Sequence, residues 1–284
     1  MKALEGANGR RLGFSIKDSV NSREKYIFGD TLDELINGLE VYKDGNFINQ
    51  FVTEFSNALT EEHLQRLDNL ILETKNAREI VDYAKRRRTL SNVEDFEDTL
   101  ICLKDFDCMV EAAAYSPIIK NLNIEKLESA VIEGGTPKHI CAFSHVNNCN
   151  FSKVKKALLE TKSLRDIASF CLFFDKRTDL LTQEDIQYIQ DLVISSKDLY
   201  HIKFIAVHLD GANIEALQDE IMSSGDPDYI YMFARDVKGS DIEKLGKAML
   251  KTNSTSDIQY LEKNFGVITP APKKKRFSFF KKSK

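Results

Sequence analysis

Apolar residues recur along most of this chain at the spacing of one helical face. Ile230, Phe233 and Ala234 stand at positions i, i+3 and i+4, and a second series opens at Ile242 and continues at Leu245. A side chain at every third or fourth position forms a single stripe along an α-helix. Paired segments of this kind predict helical hairpins, each with one apolar face to bury.

The hairpins repeat along the chain. Ile202, Ile230 and Ile258 follow one another at steps of 28 residues. Towards the N-terminus the same apolar position recurs, at steps of 27 to 35 residues, in the order Ile167, Ile140, Val110, Ile80 and Ile48. One short hairpin cannot cover its own stripe, whereas stacked copies share a continuous core. The predicted fold class is all-α, an α-solenoid of about seven to eight stacked hairpins over residues 46–266.

Capping residues mark the helix starts. Asp226 and Thr136 each precede a proline, which is favoured at the first helical position. Asn213, Asp241 and Asn123 each stand directly before the first apolar residue of a second helix. A side-chain oxygen there can accept an unpaired backbone N–H. The caps therefore predict two helix starts in each repeat.

The two ends of the chain depart from the repeat. Residues 1–45 are expected to form an N-terminal arm, irregular over residues 1–20, and a capping helix. After Phe265 the sequence becomes proline-rich and loses its apolar period. We therefore expect the helical fold to end there and residues 267–284 to form a disordered basic tail.

Part of the repeat resembles a known type of helical repeat. The segment SGDPDYIYMFARDVKGSDIEKL has the form Asp-x-x-Tyr-x-x-x-Phe-Ala-x-x-Val-x-Gly-Ala-x-Ile-x-x-Leu, with serine in place of the last alanine. It is similar to short HEAT-like repeats of bacterial and phage proteins. The resemblance extends over residues 48–265 and is strongest over residues 199–265. It implies a fold of stacked hairpins and no particular activity.

Charge is distributed unevenly along the sequence. The 284 residues include 40 basic and 44 acidic side chains, a formal charge of −4. The closing segment PKKKRFSFFKKSK, from Pro272 to Lys284, has seven basic residues and no acidic one. The rest of the chain, which we call the body, is left with a formal charge of −11. At long range the body repels nucleic acid and anionic lipid, and the tail attracts both.

The sequence also bears on the compartment. It contains no run of about 18 apolar residues, and its N-terminus lacks the apolar core of a signal peptide. The five cysteines form no CxxC pair, which favours reduced thiols. We expect a cytoplasmic protein, peripheral at the inner membrane face if the tail binds lipid.

The segment KHICAFSHVNNCN is the best candidate for a metal or catalytic site. Cys141 and His145 stand four residues apart on one helical face, with His139 and Cys149 nearby. Aligned with a later repeat, however, Cys141 and His145 occupy ordinary hairpin positions. Phosphate-binding and zinc-protease motifs are missing from the sequence. We expect no enzyme, no metal and no cofactor, and an enzyme built on this segment is the third alternative.

A run of basic residues ends one of the predicted first helices. Its members are Lys85, Arg86, Arg87 and Arg88. Cations at a helix C-terminus complement the helix dipole, which makes a structural role sufficient. Four cations in succession also suit a ridge that contacts anions, so both interpretations stay open.

A partner surface is predicted on the last repeats. In helical repeat proteins the ligand surface is formed by equivalent positions of successive units. The candidate residues are Tyr200, Tyr229, Tyr231 and Arg235. They either contact a protein partner or seal the seam between neighbouring helices.

The tail suits three kinds of partner. Its candidate anionic-surface residues are Lys273, Lys274, Lys275, Arg276, Phe277, Phe279, Phe280, Lys281, Lys282 and Lys284. PKKKR resembles a nuclear-import signal, and lysines beside phenylalanines also suit nucleic acid or an anionic membrane. The lysine clusters around a Phe-Ser-Phe unit resemble the effector segment of the myristoylated alanine-rich C-kinase substrate family, which implies membrane binding. This chain starts Met-Lys and lacks the glycine that N-myristoylation requires.

Together these patterns predict a non-enzymatic scaffold or adaptor. The body would bind a protein partner, and the tail would contact an anionic surface, preferably a membrane. The alternative is a nucleic-acid-associated protein that uses the tail and the run Lys85–Arg88. The sequence makes no prediction of the partner's identity or of the oligomeric state.

Overall fold

A computed structural model of the chain describes residues 12–17, 24–29, 31–173, 180–252 and 254–266. These residues form sixteen α-helices and one two-stranded sheet. The predicted helical class is thus confirmed for the great majority of them. Contacts divide the chain into two compact units, unit 1 (Met1–Thr161) and unit 2 (Lys162–Lys284).

The described part of unit 1 begins with two strands, β1 (Leu12–Lys17) and β2 (Glu24–Gly29). Its helices are α1 (Leu32–Tyr42), α2 (Gly45–Phe55), α3 (Glu61–Glu73), α4 (Ala77–Arg87), α5 (Val93–Leu103), α6 (Phe106–Ala114), α7 (Ile124–Gly134), α8 (Pro137–Phe143) and α9 (Phe151–Glu160). The described part of unit 2 holds α10 (Leu164–Phe173), α11 (Gln183–Ser196), α12 (Leu199–His208), α13 (Ile214–Ser224), α14 (Pro227–Asp236), α15 (Ile242–Thr252) and α16 (Thr255–Phe265).

An antiparallel β-hairpin lies where the sequence predicted an irregular arm. In this hairpin Leu12 pairs with Gly29 and Lys17 with Glu24. Strand β2 contacts α1, and its Ile27 is buried there, 5% exposed. The fold is therefore not purely α-helical. The alternation of apolar and polar residues in LGFSIK was a strand signal that the search for helical periods missed.

Helices within each unit pack in two layers. In unit 1, α2, α4, α6 and α8 contact one another in succession, as do α5, α7 and α9. In unit 2, α10, α12, α14 and α16 form one succession, and α11, α13 and α15 form another. We call these the even layer and the odd layer of each unit. Consecutive helices along the chain connect the two layers.

The repeated apolar position lies in the core of the even layer. Exposures of 0 to 4% are found at Ile48, Ile80, Ile140, Ile167, Ile202 and Ile230. The last predicted copy, Ile258 in α16, is only half-buried, because no described helix follows α16 to cover it. In α6 the core residue is Met109, which is fully buried, whereas Val110 is only half-buried. The prediction at Val110 is wrong by one residue, because α6 packs through Met109, Ala112 and Ala113.

The predicted helix caps are confirmed at four of five positions. At the fifth, Thr136 before α8, the side chain makes no cap hydrogen bond, and His139 instead accepts the Thr136 backbone N–H. The side chains of Asn123, Asn213 and Asp226 accept backbone N–H groups in the first turns of α7, α13 and α14. Asp241 accepts the N–H of Lys244 at the start of α15. Each cap satisfies a donor that has no partner inside its helix.

In unit 2 a buried amide connects each odd-layer helix to the start of the next. Gln190 Oε1 accepts the backbone N–H of Asn213 at 2.7 Å, and Gln218 Oε1 accepts that of Asp241 at 2.7 Å. The two glutamines are 3% and 1% exposed. A buried amide oxygen without a partner would be costly, so each bond fixes the distance between successive hairpins.

In unit 1 carboxylates take the place of these amides. Glu97 accepts the N–H of Asn123 at 2.5 Å, and Glu128 accepts that of Asn150 at 2.6 Å. Both are nearly inaccessible, at 3% and 1% exposure. A lysine approaches the second oxygen of each, at 3.6 Å and 3.5 Å. The same connection is thus made with a charged acceptor and a nearby cation.

Candidate protein-binding surface

A row of aromatic side chains runs along the exposed side of α12. Tyr200, Phe204 and His208 stand four residues apart, and successive ring centroids are 6.1 Å and 4.5 Å apart. Tyr200 is 55% exposed and the neighbouring Val207 is 37% exposed, whereas Phe204 and His208 are half-buried. The opposite side of the helix is fixed in the core by residues such as Ile202, which is fully buried. Helix α12 therefore presents large rings on a rigid backbone.

An ion network connects α12 to α14 beside this row. Lys203 Nζ lies 2.6 Å from Asp236 Oδ2, and Arg235 donates to both oxygens of Asp236 at 2.5 Å and 2.9 Å. The guanidinium of Arg235 also lies over the Tyr231 ring, 5.6 Å from its centroid. Hydrogen bonding from Arg235, assisted by Lys203, lowers the pKa of Asp236 to about 2.

A cavity of about 220 Å³ lies between the aromatic row and the ion network. Its lining consists of Tyr200, Lys203, Phe204, Val207, His208 and Asp236. Apolar ring faces thus stand opposite fixed charges in a space suited to one large side chain. We call the cavity, the aromatic row and the ion network together the α12–α14 surface.

The predicted partner residues are brought together in part. Tyr200 lines the cavity. Arg235 is connected to it by a hydrogen bond to the lining residue Asp236, and Tyr231 lies against the Arg235 guanidinium. Tyr229 is half-buried on α14 and does not line the cavity. Lys203, Phe204, Val207, His208 and Asp236 were not predicted as partner residues, although the spacing of the three rings on α12 is a feature of the sequence.

The run Lys85–Arg88 makes several contacts inside unit 1. Lys85 Nζ bonds to Glu111 at 2.5 Å and Asp82 at 3.1 Å, and it lies 4.5 Å from the centroid of Tyr115. Arg86 donates to Thr53 in α2 at 3.3 Å. These contacts hold the side chains against neighbouring helices, as the structural interpretation of the run requires.

Arg87 belongs to a buried network. It pairs with Glu61 at 3.2 Å and with Asp68 at 3.5 Å, and Asp68 is only 5% exposed. Tyr83 donates its hydroxyl to Asp68 at 2.6 Å. Of the four cations, only Arg88 has a side chain without a polar contact within the part of the chain that the structure describes, although its backbone carbonyl accepts the N–H of Lys120. A ridge of four cations that contacts anions stays a prediction.

The histidines and cysteines of the segment 139–149 have structural surroundings. His139 Nδ1 accepts the backbone N–H of Thr136 at 3.1 Å, which caps α8. Burial lowers the pKa of His145, and the thiol of Cys149 faces the Ser144 carbonyl oxygen at 3.9 Å. Among the described residues, no group of three or more side chains is arranged to hold a metal ion.

The predicted anionic-surface residues, Lys273 to Lys284, lie outside the described residues. Within the described ranges, no helix is both long enough and apolar enough to cross a bilayer. Comparisons with protein-family models, with curated protein sequences and with solved structures find no match for this chain.

Proposed function

We propose that this protein is a non-enzymatic scaffold that binds a protein partner through the α12–α14 surface and an anionic membrane through its basic-aromatic tail. The body would be an α-solenoid of about seven to eight hairpins. The complex would assemble at the cytoplasmic face of a membrane.

The observation that carries the partner-binding role is the partly exposed aromatic row beside a fixed ion network. Tyrosine and arginine are enriched among residues that dominate binding energy at protein interfaces. Tyr200 and Arg235 lie close to a cavity that can take a partner's anchoring side chain. Because both helices are fixed by core residues, little conformational entropy would be lost on binding.

The electrostatics of the surface favour binding over proton transfer. A general base must be free to accept a proton and have a pKa near the working pH. Asp236 is engaged by Arg235 and Lys203, and its pKa is lowered to about 2. This carboxylate therefore orients two cations, and their remaining N–H donors suit polar groups of a partner.

Two features of the fold support the solenoid. Within each unit the helices alternate between an even and an odd layer. Buried acceptors connect successive odd-layer helices, as at Gln190 and Gln218. Repetition of one packing and one hydrogen bond is the nearest-neighbour arrangement of repeat proteins.

Affinity capture tests the partner surface. Tagged full-length protein is incubated with an extract of its source cells, and bound proteins are quantified by mass spectrometry. Tyr200→Ala with Val207→Asp should reduce the main captured partner about tenfold or more. The matched control is Tyr188→Ala, an exposed tyrosine in the odd layer of the same unit, 40% exposed. Equal loss in the control, or no loss in the surface variant, would refute this assignment.

Vesicle co-sedimentation tests the tail. The full chain is compared with a chain that ends at Ala271, on anionic and on neutral vesicles. Tail-dependent pelleting on anionic vesicles alone supports the membrane role, and replacing Phe277, Phe279 and Phe280 with serine should weaken it. Seven basic residues give an upper limit of about 7 kcal/mol of attraction at low salt. Binding to oligonucleotides without vesicle binding would favour the nucleic-acid alternative.

A further inference from the structure

Equivalent positions near the ends of three neighbouring helices in unit 2 form one row. The helices α10, α12 and α14 contact one another in succession, and each is fixed in the core by its repeated isoleucine. The fifth and sixth residues after that isoleucine are Leu172 and Phe173 in α10, Val207 and His208 in α12, and Arg235 and Asp236 in α14. An equal distance from a core residue places these positions on the same side of the layer. We call them the helix-end row.

The α10 end of the row is apolar and exposed. Leu172 is 48% exposed and Phe173 is 61% exposed, and no charged residue lies between Ala168 and Phe173. The exposed Val207 continues this apolar surface on α12. Neighbouring exposed apolar residues mark interaction sites, whereas single ones are common on any protein surface.

The α14 end of the row carries an excess of positive charge. Two cations, Arg235 and Lys203, share the one carboxylate of Asp236, so this network has a net charge of +1. The Arg235 side chain is 51% exposed and therefore accessible to an incoming anion. Across the row the surface thus changes from apolar on α10, through the rings of α12, to cationic on α14.

We propose that the helix-end row binds an extended segment of the partner protein in which large apolar side chains are followed by an aspartate or glutamate. This inference rests on the proposed partner-binding role of the α12–α14 surface, and it adds α10 and the chemistry of the ligand. One apolar side chain would cover Leu172 and Phe173, and a second would enter the α12–α14 cavity. The carboxylate would meet Arg235, so charge complementarity sets the direction of the segment.

The distance between the helices sets the spacing of side chains in the ligand. Packed helices lie about 8–10 Å apart, and an extended chain advances about 3.3 Å per residue. The segment therefore uses about three residues for each helix that it crosses. The expected pattern is a large apolar residue, a second one about three positions later, and an acidic residue about three positions after that.

Peptide selection tests this pattern. A phage-displayed library of random peptides of about 12 residues is selected on the full-length protein and, in parallel, on the Tyr200→Ala variant. Peptides that bind only the wild type should be enriched in the expected pattern. The most enriched peptide is then synthesised with glutamate or with glutamine at the acidic position, and both versions are titrated by fluorescence anisotropy.

Two variants of the protein separate the apolar contact from the charged one. Leu172→Ser with Phe173→Ser should weaken binding about tenfold, because the peptide would bury both side chains. Arg235→Gln should remove most of a roughly fivefold preference for the glutamate peptide, measured as a double-mutant cycle. Tyr188→Ala is the control and should change neither value. The exchange in the peptide leaves the protein intact, so it tests the charged contact even if a variant folds poorly.

The results distinguish this inference from the proposed function. If no peptide requires Tyr200, the α12–α14 surface is refuted and this inference with it. Peptides that require Tyr200, but bind equally well after Leu172→Ser with Phe173→Ser or show no preference for glutamate, overturn this inference alone. Self-association, or vesicle binding by the chain that ends at Ala271, also overturns it if the same double variant abolishes it. The face would then belong to a second copy of the chain or to a membrane.

Discussion

Among single residues, the buried acceptor of each odd-layer helix has the clearest structural role. Gln190 and Gln218 fill this position with a neutral amide, and Glu97 and Glu128 fill it with a carboxylate. The hydrogen bond to the next helix start is the same in both cases. The charge is therefore dispensable for the connection and adds a desolvation cost of its own.

We predict that Glu97→Gln leaves the protein as stable as the wild type, or more stable, at neutral pH. Burial raises the pKa of Glu97, so the native state binds more protons than the unfolded state between the two pKa values. Wild-type stability contributed by this group is present below the unfolded pKa and is lost as pH rises through the folded pKa. Urea unfolding from about pH 4 to pH 8 should show a flatter pH profile in the variant.

The companion variant Glu97→Ala separates charge from hydrogen bonding. It removes the charge but leaves the Asn123 N–H without its acceptor, and we expect a loss of about 1–3 kcal/mol. If the Gln and Ala variants lose the same amount, the hydrogen bond does not hold the two helices together.

A second prediction concerns Tyr83, which is fully buried in α4. Its hydroxyl donates to Asp68 at 2.6 Å, and burial together with Asp68 raises its pKa. Tyr83→Phe keeps the ring and removes this bond, so the free energy of unfolding should fall by about 1–2 kcal/mol. Tyr115→Phe, at a tyrosine that is 40% exposed, should change it by less than about 0.5 kcal/mol. Equal effects would contradict the role of the buried bond.

Several helices of this protein are followed by a non-glycine residue in the left-handed backbone conformation, with a positive φ. The C-cap residue that follows α13 is Gly225, with a φ of 69°, and the equivalent residue after α11 is Lys197, with a φ of 59°. Lysines also adopt positive φ at Lys43 and Lys104, after α1 and α5. Side chains with a Cβ atom pay a steric cost in this region, whereas glycine does not.

We therefore predict that Lys197→Gly raises the free energy of unfolding by about 0.5–1 kcal/mol. The variant also loses the ion pair between Lys197 and Glu220, but this lysine is 67% exposed and such pairs contribute little. Lys197→Ala is the control, since it loses the ion pair and keeps the strain. Chemical denaturation should place the alanine variant at or below the wild type. A glycine variant no more stable than the alanine variant would show that strain at this turn is negligible.

At the scale of the whole molecule, charge is separated between an acidic body and a basic tail. The body has a formal charge of −11 and the tail has seven basic residues. The body repels anionic lipid while the tail attracts it. The proposed membrane binding therefore depends on the ionic strength, which sets the distance over which each charge acts.

We predict that full-length protein binds anionic vesicles at about 50 mM salt and is released by about 0.5 M salt. Screening weakens the attraction of the seven basic side chains, which we take as the main source of binding energy. Co-sedimentation over a salt series measures this, with the chain that ends at Ala271 as the control. Binding that is unaffected by salt would contradict a tail held mainly by charge.

Much of the helical fold could be predicted from the sequence, because helix periods and caps are local. Ile202 and Ile230 were predicted as core residues and are buried in the structure. Asn213 caps the helix that was predicted to follow it. The strand LGFSIK was not predicted, because its apolar residues alternate with a period of two and the prediction relied on helical periods. The core position in α6 was predicted at Val110, whereas the structure buries Met109. The two residues are adjacent and both are apolar, so the helical period does not distinguish them.

The sequence by itself thus determined the repeating amphipathic helices, their starts and the separation of charge along the chain. Only the tertiary structure decided which polar side chains meet. Arg87 of α4 reaches Asp68 of the preceding helix α3, and Lys203 of α12 reaches Asp236 of α14. Their pairing follows from how the helices pack, and helical periodicity specifies which face is buried without specifying which neighbour it meets.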